Sequence, residues 1–169
     1  MSERCMIDIE TLGTDPGAAI VSIGAVRFTV DGGIEDELFV SVDVESCQDY
    51  GLRIDASTVI WWLGQSADAR EQLRGGDDLE HALRELRAFV DGCDEVWANS
   101  PSFDLTILEA AYECVGLSIP WNFWEERDYR TLRAVLEWPD REQDGTAHDA
   151  LDDARFQAEC LIEALEEVA

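Results

Sequence analysis

Residues 4–30 read RCMIDIETLGTDPGAAIVSIGAVRFTV. A short β-rich run over 4–9 is followed by a turn punctuated by Gly13, Asp15, Pro16 and Gly17, then by a second β-rich run over 19–30. Asp31-Gly32-Gly33 breaks the chain before a third run over 37–44, so this segment reads as an antiparallel meander. Within the first run Asp8 and Glu10 are two apart, and on a strand they point to one side while Ile7 and Ile9 point to the other. Two like charges held side by side require a cation. A solvated strand face of an acidic protein presents the same pair.

Beyond the meander the hydrophobic period changes from two to about 3.6, which predicts short helices over 55–63 and 66–73 and a longer one over 77–91. Glu95-Val96-Trp97-Ala98 reads as a strand. Ser100 is placed to cap a helix whose first position is Pro101 and which runs to about Val115, where Gly116 ends it. A last helix is expected over 147–168. Strands followed by helices alternating with further strands predict an α/β fold, a mixed sheet flanked by α-helices, in a single domain spanning 1–169. No repeat, low-complexity tract or linker interrupts it.

The 169 residues are 46% hydrophobic, enough for one real core. Five cysteines, odd in number and without a C-x-x-C pair, fit free thiols in a reducing cytoplasm. No stretch has the apolar length to span a bilayer, so a soluble, cytoplasmic protein without a membrane partner is expected. Charge points the other way from the acidic strand motif. There are 38 acidic residues against 12 basic ones, all arginine, for a net charge of −26. Nucleic-acid binders usually carry a basic surface that displaces counterions from phosphates. In molar salt, however, the Debye length shrinks to about 3 Å and long-range repulsion is screened. A lysine-free, acid-rich chain suggests a salt-loving host.

Asp104 falls within the helix expected after Ser100, in line with Leu108, Ala111 and Val115 on an otherwise apolar face. A carboxylate heading an apolar stripe is costly to bury without compensation, which a metal would supply. A helix dipole favouring an N-terminal acid is the alternative. In Thr146-Ala147-His148-Asp149-Ala150-Leu151-Asp152-Asp153, Thr146 and Asp149 match a capping box that sets His148 at the mouth of the last helix. Imidazole titrates near neutral pH and suits proton transfer. The other histidine, His81, is expected mid-helix with no acidic motif arranged around it. Helix geometry does not separate Asp153 from Asp149 and Asp152.

D-x-E near the N-terminus, a central Asp and H-x-x-x-x-D near the C-terminus together resemble the DEDD exonuclease superfamily, histidine subtype, on a ribonuclease H-like fold. DIETLGTDPGAAIVSIGAVRF, the WW-L-x-Q stretch at Trp61 to Gln65, WANSPSFDLTILEAAY, RDYRTL and HDALDDA are similar to exonucleases of the exodeoxyribonuclease VIII and Rv2179c-like exoribonuclease type, over nearly the whole chain. The resemblance implies 3′→5′ hydrolysis of single-stranded DNA or RNA to nucleoside monophosphates. It implies Asp8, Glu10, Asp104 and Asp153 as ligands of two Mg2+ or Mn2+ ions and His148 as general base. Two dications would also turn a repulsive patch into one that attracts phosphate. Thr11 and Leu12 would meet the terminal nucleotide, and Trp61, Trp62 and Gln65 would stack on or hydrogen-bond its base. Paired tryptophans also serve as core. Asn99 is a nucleotide contact or a loop residue bonding its own backbone. Asp128 is expected at a strand end near the site, with Arg130 as a phosphate contact. Trp121, Phe123 and Trp124 read as packing or a subunit contact. A homodimer is expected by analogy with the superfamily. The competing expectation is a catalytically silent acidic scaffold that keeps the fold.

Overall fold

The computed structural model describes residues 2–138, 143 and 148–168. The meander forms as expected: β1 (Arg4–Thr11), β2 (Ile20–Thr29) and β3 (Gly33–Ser41) pair antiparallel. Helices α1 (Val44–Asp49), α2 (Ala56–Leu63), α3 (Ala67–Glu71) and α4 (Leu79–Val90) follow, then β4 (Glu95–Ala98) and α5 (Asp104–Cys114). The chain continues through β5 (Glu126–Asp128), α6 (Tyr129–Val135) and α7 (Ala150–Val168). The sheet order is β3-β2-β1-β4-β5, with β4 parallel to both β1 and β5. β1 is therefore the central strand.

Both faces of the sheet are covered. Cys5, Ile7 and Ile9 join one core with α4 and α5 residues such as Leu83, Leu86 and Leu108. Met6 joins the other, with Val26, Phe28, Trp97 and the α7 residues Ala154, Ala158 and Leu161. Asp8 and Glu10 continue the Met6 side, so the alternation in β1 separates two buried faces and not a buried face from a solvated one.

Three boundaries differ from expectation. The third strand stops at Ser41 because Asp43 caps an unexpected helix, its Oδ1 accepting the Glu45 N–H at 3.1 Å. Ser100 does not cap α5. Its hydroxyl is engaged by Ser102 and by Arg130, while its carbonyl accepts N–H groups from Phe103 and Asp104 at 2.8 and 3.0 Å in a turn that delays the helix to Asp104. Thr146 lies outside the described residues, and the cap of α7 is Asp149, whose Oδ1 accepts from Leu151 and Asp152 at 3.1 and 3.0 Å.

All five cysteines are free. Among the described residues no helix is long and apolar enough to cross a membrane. Trp121 is buried and packs its ring edge-on to Tyr112, whereas Phe123 and Trp124 are exposed.

Candidate active site

The end of β1 is where the acidic side chains meet. β4 pairs with β1 only as far as Ala98 opposite Ile7, which leaves the β1 edge beyond it open. Asp104, the first residue of α5, closes that edge: its Oδ1 accepts the Ile9 N–H and its Oδ2 the Ser100 N–H, both at 3.4 Å. It is 4% exposed and Asp8 9%. Asp8 Oδ1 accepts a hydrogen bond from the Gln157 side chain of α7 at 2.9 Å. Glu10, half-buried, pairs with Ser22 across the ladder at a register shift that turns Thr11.

From the other side comes the start of α7. Donor atoms of Glu10, His148 and Asp153 lie within 4.8 Å of one another. His148 has a left-handed backbone, φ 65°, which is sparsely populated for a residue with a Cβ and recurs at functional sites. Its carbonyl accepts from Gln72 Nε2 at 2.7 Å, and Gln72 Oε1 accepts from Ser22 Oγ at 2.8 Å, tying the histidine to the strand position opposite Glu10. Its ring lies edge-on to Trp61, centroids 4.7 Å apart. Gln143 donates to Asp153.

Electrostatics mark this cluster. Burial, then repulsion from Asp104 and Asp153, pushes Asp8 well above the usual carboxylate range. Burial and the same kind of repulsion push Glu10 up to about 8. Burial raises Asp104 to about 7 despite the backbone hydrogen bonds that oppose it, and Asp153 is raised mainly by burial. Four carboxylates gathered here repel one another, and hard divalent cations are the partners their oxygens fit.

Two clefts open on the cluster. One, of about 380 Å³, is lined by Asp8, Glu10, Asp104 and Asp153 together with Asn99, Ser100, Phe103 and Arg130. The other, of about 330 Å³, is lined by Glu10, Thr11, Gly13, Thr14, Ser57, Thr58, Trp61 and Phe103. Ile9, Glu10 and Phe103 belong to both walls. Neither cleft is lined by Leu12, Trp62 or Gln65. Leu12 and Trp62 are buried in the core, the Trp62 indole N–H donating to the Thr11 carbonyl at 2.9 Å. Gln65 donates to the Trp61 carbonyl of its own helix. The tryptophan pair thus divides into one packing residue and one cleft residue, 43% exposed. Asp128 caps α6, accepting the Thr131 N–H at 2.8 Å. His81, contrary to expectation, does have acidic company: it groups with Asp77 and Glu85, but on an exposed helix face away from these clefts.

Sequence reasoning missed Gln72, Phe103 and Gln157. Gln157 alone carried a signal, since it stands one turn beyond Asp153 on the same helical face.

Comparison with known proteins agrees with this fold. The nuclease domain of 3′hExo, a DEDDh family member bound to rAMP, superposes with a TM-score of 0.68 at 17% identity, covering 98% of this chain and 92% of that one. E. coli exonuclease I in complex with a dT13 oligonucleotide superposes with a TM-score of 0.70 at 13% identity, with 99% of this chain matching 41% of that one. An exodeoxyribonuclease of Enterobacteria phage T4 is 26% identical over 162 residues, 78% of this chain and 71% of the phage protein. The 3′-5′ exoribonuclease Rv2179c-like domain matches residues 3–165, so the chain belongs to that family of 3′-5′ exonucleases.

Proposed function

We propose that the chain shortens single-stranded DNA or RNA from the 3′ end, releasing nucleoside 5′-monophosphates, with two Mg2+ or Mn2+ ions held by Asp8, Glu10, Asp104 and Asp153. When bound, such a pair of ions activates the attacking water and stabilises the departing 3′ oxygen. The observation that carries this reading is the convergence of four carboxylates from β1, α5 and α7 at a depth where Glu10 rises to about 8 and Asp104 to about 7.

His148 takes the proton from the attacking water, its ring steadied by Trp61 and its backbone by Gln72. Trp61 and Thr11 receive the terminal nucleotide in the smaller cleft, and Asn99 bounds the path of the preceding one. Arg130, the one cation lining either cleft among the described residues, holds a phosphate. With a net charge of −26 on the chain, the working condition is high salt in a cytoplasm. The reading includes a homodimer. Light scattering that returns a mass near 18.9 kDa would remove that part.

The test is incubation of 5′-labelled single-stranded DNA and RNA at high salt with manganese, magnesium or chelator. Progressive 3′ shortening that chelator abolishes is expected, and the two substrates side by side decide between DNA and RNA. Shortening that persists in chelator would discard the metal site. If neither polymer is cut, the acidic scaffold is the correct account.

A further inference from the structure

We propose that Gln157 is a positioning residue for Asp8, setting the affinity of the site for divalent cations; the inference rests on the metal-site reading above. Gln157 is 8% exposed, on the buried stripe of α7 that includes Ala150, Ala154, Ala158 and Leu161, each of them fully buried. An amide in that company needs a reason. Its Nε2 donates to Asp8 Oδ1 at 2.9 Å across 149 residues of sequence, while its Oε1 is buried without a hydrogen-bond partner among the described residues.

The unequal treatment of the two ends identifies the role. Reversing the amide would set its carbonyl against the Asp8 carboxylate, so the end that faces Asp8 is the donor and the carbonyl is left over. A residue selected for packing would be an unbranched apolar chain of the same length, which fills the space and orphans nothing. The terminal torsion of an aspartate is soft, with a broad, roughly two-fold preference. A donor fixed on one oxygen stops that rotation and leaves the other oxygen for a cation. Such outer contacts to a ligand typically change metal affinity or activity by about 10- to 100-fold.

The experiment compares the full-length parent with Gln157→Met, which keeps length without a donor, and Gln157→Asn, which keeps the amide one methylene too short to reach. Manganese binding is measured by calorimetry at high salt, alongside melting temperature in chelator and turnover at saturating manganese. Expected are a Kd for manganese raised about 10- to 100-fold in both variants, turnover restored at saturating metal, and a melting temperature for Gln157→Met at or above the parent's. A lower melting temperature with unchanged manganese affinity would make Gln157 a structural residue and overturn the inference. Should Gln157→Met not fold, Gln157→Asn reads the same quantity. A parent that binds no manganese would remove the metal-site reading itself. A parent that binds and cuts while both variants bind equally well overturns only the role of Gln157.

Discussion

Asp8, Glu10 and Asp104 occupy the site on different terms from His148 and Asp153. The first three stand on the central strand and on the helix that closes its edge, and two of them are held by backbone N–H groups or a buried amide. The last two arrive on the start of α7, where His148 has a left-handed backbone and is reached by a glutamine tether and an aromatic edge. The β1 and α5 half is built into packing that must exist for the sheet to form. The α7 half depends on where one helix begins. Under the proposed function the β1 and α5 half would supply three rigid oxygen ligands, and the α7 half the fourth, Asp153, together with a proton acceptor of adjustable position, His148.

Asp8→Asn should break the first half outright. Losing one anionic oxygen from the centre of the cluster removes several kcal/mol of charge stabilisation, so activity should fall by at least about 10⁴-fold. The melting temperature in chelator should hold or rise, because a buried charge repelled by Asp104, Asp153 and Glu10 has been removed. Retained turnover would mean that the cations sit elsewhere.

His148→Ala tests the second half more gently. General-base catalysis contributes about 10²–10⁴-fold, and a loss of about 10²–10³-fold is expected with manganese affinity little changed. A rate within about tenfold of the parent would assign proton transfer to another group.

Gly24→Ala probes how the halves are joined. Gly24 is the β2 partner of Asp8, and a Cβ there would collide with the backbone of Ala150 and Leu151 at the start of α7. Backbone cannot swing aside as a side-chain tip can, so the helix must shift away from β1. A displacement on the order of 1 Å is worth roughly 10- to 10²-fold in rate, and overpacking is worth about 1–3 kcal/mol of stability. If the rate is untouched while stability falls, the placement of His148 does not depend on how closely the start of α7 packs on β2.

These same two halves differ in how far the sequence reveals them. Period-two alternation in β1 exposes Asp8 and Glu10, and an interrupted apolar stripe exposes Asp104, because both patterns report the face a residue occupies. Asp153 cannot be told from Asp149 and Asp152 by helix geometry, since all three fall within the first turn or its cap. The cap went to Asp149 through an Asx-type bond that any of several polar residues here could have made. Gln72 is invisible for another reason, and Gln157 shows its helical face but not its role: their partners lie 76 and 149 residues away, and single-chain periodicity carries no information on such pairs. The strand meander, β4 and the sheet composition were legible. The short α1 and α6 were not, because each is set by one capping aspartate, Asp43 or Asp128, more than by a hydrophobic period.

The smallest effect separates the buried carboxylates from the general acidity of the chain. Glu10 is raised from 4.5 to about 8, Asp104 from 3.8 to about 7, and Asp8 and Asp153 are raised as well, all with burial as the leading cause. The folded state therefore binds protons more tightly than the unfolded chain. In chelator the stability from these groups is fully present below about pH 4 and is lost as pH rises through 7 to 8. The melting temperature at pH 5 should exceed that at pH 8.5 by roughly 5 °C or more, at the few degrees per kcal/mol expected for a chain of this size. Molar potassium chloride in both buffers screens the surface charge, leaving the buried cluster as the main titrating difference. Manganese should narrow the gap by stabilising more at pH 8.5, where it need not displace protons. Asp8→Asn should flatten the slope in chelator. An equal slope in parent and variant would show that acidity across the whole surface, and not the group of carboxylates around β1, governs the pH response.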